Sequence, residues 1–156
     1  MDLWRIAKVS KRYAVDDMSG TGAAITGGRW NSVKVPAVYT ASSIPLAALE
    51  TLVHFNVLDL PVKRILLKIQ VPDEIWKART ILDTDQCQGW DHIPPTNSST
   101  EYGDFWLKGK TSLLLVVPSV IVPEETNVII NPQHPDISKL PVIQVREWKY
   151  DSRIKA

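Results

Sequence analysis

The chain has one cysteine, Cys87, so no disulfide can form within it and no thiolate cluster can hold a metal. Its three histidines, His54, His92 and His134, fall in no metal-ligand spacing, and the H-E-x-x-H pattern is absent. Neither sign of charge dominates: 18 Lys and Arg stand against 17 Asp and Glu, a net charge of +1. That gives no electrostatic case for direct nucleic-acid binding or a membrane surface. No apolar run approaches the ~20 residues of a membrane span. Met1 to Ser10 carries Asp2, Arg5 and Lys8 and has no apolar stretch of signal-peptide length. A cytoplasmic chain without a metal is therefore expected. Cys87 sits in Asp85-Gln86-Cys87-Gln88-Gly89 with no patterned histidine, which gives a thiol nucleophile little support. Ser119 has no G-x-S-x-G elbow around it, which argues against an α/β-hydrolase nucleophile.

The composition is that of an ordinary globular chain, with 44% hydrophobic and 22% charged residues. At 156 residues, one domain spanning 1–156 is expected. Leu3 to Val9 reads as a strand, followed by a glycine-rich loop from Ser19 to Gly28. Val35 to Ala41 reads as a second strand. Ser43 to Phe55 reads as a helix, capped by Ser42 or Ser43, with Pro45 in its first turn. Ile65, Leu67, Ile69 and Val71 alternate with Arg64, Lys68 and Gln70 at the period of a strand. Asp73 to Ala78 suits a short helical turn, and residues 83–97 a polar surface loop. Ser98-x-x-Glu101 offers a capping box for a helix ending near Gly109. Ser112 to Val117, Asn127 to Ile130 and Val142 to Tyr150 complete the strands. Strands and helices out of regular alternation point to an α+β fold.

Four local patterns bear on chemistry. Gly20-x-Gly22 follows a strand, but Ile25 stands where a dinucleotide fingerprint needs its third glycine, so a Rossmann site is not expected. Gly27-Gly28-Arg29-Trp30-Asn31 lets the backbone turn sharply and offers a planar guanidinium that suits a phosphate. The same run also reads as a surface arginine beside a partly buried tryptophan. On the helix from Ser43, an apolar stripe of Leu46, Leu49 and Val53 has Glu50 beside it, ~40° around from Leu46. A carboxylate in a packing face must be paired, line a cavity or reach water, which makes Glu50 either a site residue or an edge residue. His134, in Asn131-Pro132-Gln133-His134-Pro135, fits a turn residue bonded to backbone.

Taken together, these blocks resemble the RES domain. The first half is carried by Gly27-Gly28-Arg29-Trp30-Asn31, Val38-Tyr39-Thr40-Ala41-Ser42-Ser43 and Ala47-Ala48-Leu49-Glu50-Thr51-Leu52. The second half follows in order: Gly103-Asp104-Phe105-Trp106-Leu107, Val117-Pro118-Ser119, Val122-Pro123 and Asn131-Pro132-Gln133-His134-Pro135. The arginine, glutamate and serine for which the family is named match Arg29, Glu50 and Ser119. One departure stands in the loop after Arg29, where the family usually has a glycine before the Val-Pro pair and this chain has Lys34. If that position has a positive φ, Lys34 costs strain and the loop differs.

The resemblance implies a mixed-sheet α+β core similar to that of ADP-ribosyltransferase toxins, split around an NAD-binding cleft. It implies a toxin of a two-gene toxin–antitoxin pair that degrades NAD+ at the nicotinamide–ribose bond by hydrolysis or phosphorolysis. NAD+ is then a substrate, and no cofactor is implied. The expected partner is an Xre-type antitoxin, and oligomers of the chain with itself or with the antitoxin stay open. Two alternatives are an ADP-ribosyltransferase acting on a specific host protein and an inactive RES fold kept as a binding module. In the roles so implied, Glu50 stabilises positive charge on the ribose or binds its hydroxyl, Arg29 clamps the pyrophosphate, and Tyr39 stacks near the nicotinamide. Ser119 hydrogen-bonds near ribose or phosphate, and Asn131 and His134 bind substrate or shape the cleft wall.

Overall fold

The computed structural model describes residues 1–54, 62–151 and 153–154. Among them, seven strands form one sheet: β1 (Asp2–Lys8), β2 (Val38–Ala41), β3 (Arg64–Gln70), β4 (Thr80–Ile81), β5 (Leu114–Pro118), β6 (Thr126–Ile130) and β7 (Val142–Trp148). The helices are α1 (Thr21–Thr26), α2 (Ile44–Leu52), α3 (Asp73–Lys77) and α4 (Asn97–Gly109), with 3-10 turns at Thr84–Gln86 and Pro135–Lys139. The strand order is β4-β5-β6-β2-β1-β3-β7, antiparallel except for the β4–β5 pair. This is the mixed α+β architecture expected from the sequence. None of the described helices is long and apolar enough to cross a membrane.

Strand alternation sorts the core into two faces. On one face Leu3, Ala7, Val38, Leu67, Ile69, Leu114, Val116, Val128 and Ile130 pack against Ile75 of α3 and Ile137 and Leu140 near the last 3-10 turn. On the other face the cover is divided. Leu46 and Ala47 of α2 pack on Ala41, Trp4 and Ile6. Trp106 and Leu107 of α4 pack on Leu115, Val117 and Ile129. The sheet is weakly joined beneath α2: β1 and β2 meet at one residue pair, Trp4 opposite Ala41. By contrast, β1 and β3 run in register from Asp2–Gln70 to Lys8–Arg64. A cleft of about 890 Å³ opens over that seam, with β1, β2, β6 and α2 all contributing to its walls.

Several boundaries differ from the sequence reading for local reasons. The glycine-rich stretch is not all loop: α1 forms within it, entered through Gly20 at φ 71°. Ser98 is not the cap of α4. Thr96 is the N-cap residue, without a side-chain cap bond, and Ser98 Oγ donates to the Gln88 carbonyl at 2.9 Å instead. β2 begins at Val38 because Val35 belongs to the turn that Asn31 braces, Asn31 Nδ2 donating to its carbonyl at 2.8 Å. Helix α2 does start at the Ser43 cap, whose Oγ accepts from the Leu46 N–H at 3.2 Å. The helix ends at Leu52 with Val53 as its C-cap, short of the expected end at Phe55, a residue that itself lies outside the described ones. Its apolar stripe also differs. Leu49 and Val53 are 39% and 59% exposed, and Leu46 and Ala47 carry the packing. Glu50, four residues from Leu46 and three from Ala47, therefore stays on the sheet-facing side.

Candidate active site

Three of the sequence-derived site residues, Arg29, Tyr39 and Glu50, line the one cleft over the seam, together with Trp4, Asn127 and Ile129. Each is placed by a different element. Arg29 lies in the loop between α1 and β2, which α4 holds down. The Gly103 position lies so close to the Trp30 backbone that a Cβ there would meet the Trp30 carbonyl oxygen at 2.0 Å. Asp104 accepts the Ser32 N–H at 2.8 Å, and Thr100 Oγ1 donates to the Arg29 carbonyl at 3.3 Å. The Gly103-Asp104 pair of the sequence thus docks the arginine loop.

Arg29 Nη1 donates to the carbonyls of Trp90 at 2.5 Å and His92 at 2.9 Å. Both Nη1 protons are used there, which orients the guanidinium and leaves its other edge for an anion. Burial pulls its pKa below the usual arginine value, opposed by the nearby negative charges of Glu50 and Asp91. The group remains a cation at physiological pH.

Tyr39 is held at its far end. Its hydroxyl donates to Asn31 Oδ1 at 2.6 Å and accepts from the Trp30 N–H at 3.1 Å. Asn31 is buried and uses Nδ2 to brace the carbonyls of Ala23 and Val35 at 3.0 and 2.8 Å. Gly28 is required beside this phenol, since a Cβ there would stand 2.6 Å from the Tyr39 hydroxyl. Burial pushes the phenol far above its ordinary range. The ring is a fixed neutral platform on the cleft wall.

Glu50 Oε1 accepts from Ser119 Oγ at 2.9 Å and from Asn127 Nδ2. Ser119 is fully buried, and its Oγ also accepts the N–H groups of Ile121 and Val122 at 3.1 and 3.2 Å. The serine of the family triplet therefore sits beneath the glutamate and not on the cleft wall. Its hydroxyl is not available to a ribose or a phosphate.

Asn131 and His134 are not brought to the site, and the substrate-contacting role expected of them is corrected here. Asn131 is buried at the other end of β6, where Nδ2 donates to the Leu107 carbonyl at 2.8 Å and Oδ1 accepts the Gln133 N–H at 3.0 Å. His134 Nδ1 accepts the Asp136 N–H at 3.1 Å and caps the 3-10 turn. The polar groups of His134 and Asn131 Oδ1 are spent on the turn that leads to the sheet face opposite the cleft, and Asn131 Nδ2 on the end of α4. Asn127 was not singled out from the sequence. Val128, Ile129 and Ile130 are all apolar and all fully buried, so no alternation in the sequence marks its face, and only the register of β6 against β2 and β5 shows it.

Lys34 has φ 74°, in the left-handed region, with its N–H bonded to the Ala24 carbonyl at 2.7 Å. The position that departs from the family pattern is thus one where a glycine is unstrained and a lysine is not.

The cleft thus combines an oriented cation, a clamped aromatic ring and a braced carboxylate on a mixed-sheet fold. The chain belongs to the RES family: the RES domain model matches residues 2–152. It is 49% identical over 152 residues to the Prs ADP-ribosylating toxin of Sphingobium sp. strain YBL2, covering 97% of this chain and 94% of that one. It is 38% identical to the Toxin Res of Photorhabdus laumondii over 99% of this chain and 97% of that protein. It is 39% identical to the Toxin Res of Pseudomonas putida over 99% of each. Among solved structures, a chain of the M. tuberculosis MbcT–MbcA toxin–antitoxin complex shares the fold. The TM-score there is 0.62 at 18% identity, over 95% of this chain and 84% of that one.

Proposed function

We propose that this chain is the toxin of a toxin–antitoxin pair and that it breaks the nicotinamide–ribose bond of NAD+. The observation that carries the reading is the meeting of Arg29, Tyr39 and Glu50 in one cleft of a RES-family chain. The cleft volume of about 890 Å³ lies within the ~300–1,000 Å³ typical of ligand pockets.

The chemistry follows from the residues. As the bond from ribose C1′ to the nicotinamide nitrogen breaks, the electron pair leaves with the nicotinamide, which becomes neutral. The ribose takes on oxocarbenium character, as in other glycoside cleavages. Glu50, fixed through Oε1, opposes that positive charge with its carboxylate. The free edge of Arg29 holds the pyrophosphate by paired charged hydrogen bonds. Tyr39 offers its clamped ring to the nicotinamide end. An acceptor O–H then adds to C1′ and gives up its proton to Glu50 or to solvent. NADH is a poor substrate on this mechanism, because reduced nicotinamide is a poorer leaving group.

The names of the relatives support the toxin role and an antitoxin partner, and the family resemblance points to one of Xre type acting in the cytoplasm. The rim of the cleft is apolar, with Val53, Ile93 and Ile121 all exposed there. An antitoxin segment seated on that rim covers the substrate. Water or phosphate as acceptor makes the chain an NAD+-depleting enzyme. The name of the Sphingobium relative favours a second reading, ADP-ribosyl transfer to a protein. NAD+ labelled in its adenosine separates the two. Label in free ADP-ribose or its 1″-phosphate supports depletion, and label on one protein of a bacterial lysate supports transfer. Label that stays in intact NAD+ under both conditions rejects the proposal.

A further inference from the structure

We propose that Asn127 is a positioning residue for Glu50: with Ser119 it saturates one carboxylate oxygen, Oε1, and so dedicates the other, Oε2, to the substrate. The word substrate rests on the NAD+ reading above. The pairing of the side chains does not.

The strand pattern puts Asn127 where it is. Val128 and Ile130 belong to the core on the α3 side of the sheet and Ile129 to the core on the other side, so the period of two turns Asn127, with Ile129, toward the α2 side. Its cross-strand neighbours on that face are Ala41 of β2 and Val117 of β5. Neither side chain carries a polar group, so neither competes for the Asn127 amide. The short Ala41 side chain also leaves room for Glu50 to reach the sheet from the helix above.

Donor arithmetic then fixes the direction of each bond. A serine hydroxyl has one proton and two lone pairs. Both lone pairs of Ser119 Oγ face backbone N–H groups, those of Ile121 and Val122. Its proton therefore goes to Glu50 Oε1, and this serine cannot act as an acceptor toward the glutamate. Asn127 Nδ2 supplies the second donor to the same oxygen. Two donors fill the two lone pairs of Oε1. Oε2 takes no hydrogen bond from any described residue, and Glu50 is half-exposed on the cleft wall. Substrate can meet this carboxylate only through Oε2.

An amide suits the task better than the alternatives. It donates without adding charge, whereas a carboxylate at position 127 would face Glu50 as a like charge in a partly dry cleft. A free glutamate side chain has three rotatable bonds to order. Two fixed donors order it before substrate arrives, which is how a supporting shell preorganises a reacting group.

The test is a double-mutant cycle of Asn127→Asp and Glu50→Gln, read by thermal denaturation, with steady-state nicotinamide release measured for Asn127→Asp and Asn127→Ala. Asn127→Asp keeps the shape and removes the donor. It is expected to lower Tm by about 2–4 °C. Adding Glu50→Gln to it should recover part of that loss, because two like-charged carboxylates no longer face each other, while turnover stays lost. Asn127→Ala should reduce kcat by about 10- to 100-fold with little change in KM, the signature of a misplaced reacting group. Additive Tm shifts in the cycle overturn the pairing. Wild-type kcat in Asn127→Ala or Asn127→Asp overturns the positioning role. If the wild-type protein releases no nicotinamide at all, the NAD+ reading fails, and the denaturation cycle alone decides whether Asn127 holds Glu50.

Discussion

The Tyr39 hydroxyl donates to Asn31 Oδ1 at 2.6 Å, and this bond ties the aromatic wall of the cleft to the arginine loop. Tyr39→Phe keeps the ring and leaves the buried Asn31 oxygen and the Trp30 N–H without their partner. A loss of about 1–3 kcal/mol is expected by chemical denaturation. The pH dependence has a definite sign. Burial raises the folded phenol above its ordinary value of 10.0, so the folded state holds this proton more tightly than the unfolded chain. The contribution is complete below pH 10 and is lost as the pH rises above it. Tyr39→Phe should lack that alkaline increment, and an identical alkaline decline in both proteins would count against it.

Lys34→Gly should stabilise the protein. A left-handed lysine costs ~1–2 kcal/mol, and the added freedom of glycine in the unfolded chain returns ~0.5–1 kcal/mol of that. A net gain of up to ~1.5 kcal/mol is expected by urea denaturation. A loss of stability would mean that the Lys34 side chain makes a compensating contact.

Gly103→Ala should damage fold and activity together. The added Cβ would meet the Trp30 carbonyl at 2.0 Å, a backbone atom that cannot swing away. The loop carrying Arg29 must move off α4, at a cost of about 1–3 kcal/mol. Thermal denaturation and nicotinamide release check the two parts. A variant with wild-type Tm would show that the loop is not docked in this way.

Cys87 should be inert in the folded protein. It is 1% exposed, and burial raises its thiol pKa, so less thiolate forms at a given pH than on a free cysteine. Ellman's reagent at pH 8 should label it only after denaturant is added. Labelling of native protein at the rate of a free thiol would contradict the buried placement.

How far the sequence went depends on the kind of information each residue needs. The β3 alternation and the Ser43-x-Pro45 helix start are local signals, and both elements formed where those signals lie. The α2 stripe was misjudged because Leu49 and Val53 are apolar without being core, and only the sheet beneath the helix distinguishes them from Leu46 and Ala47. Arg29, Tyr39 and Glu50 came to one cleft, and the ordered family blocks had marked all three. Ser119 was marked by the same blocks, but its place beneath Glu50 depends on the turn through Ile121 and Val122. Asn127 required the register of β6 against β2 and β5, which no local pattern encodes. Asn131 and His134 looked like site residues because turn-forming polar groups and ligand-binding groups are the same residue types.

The most direct measurement is nicotinamide release from NAD+ by the purified, folded, antitoxin-free protein, with water, phosphate or a bacterial lysate as acceptor, beside Glu50→Gln. Glu50→Gln keeps the shape and removes the charge opposed to the oxocarbenium ion. The wild-type protein should release nicotinamide, and Glu50→Gln should be slower by about 100-fold or more at an unchanged fold. No release under any of the three conditions, or equal rates for the two proteins, would contradict an NAD+-cleaving role centred on Glu50.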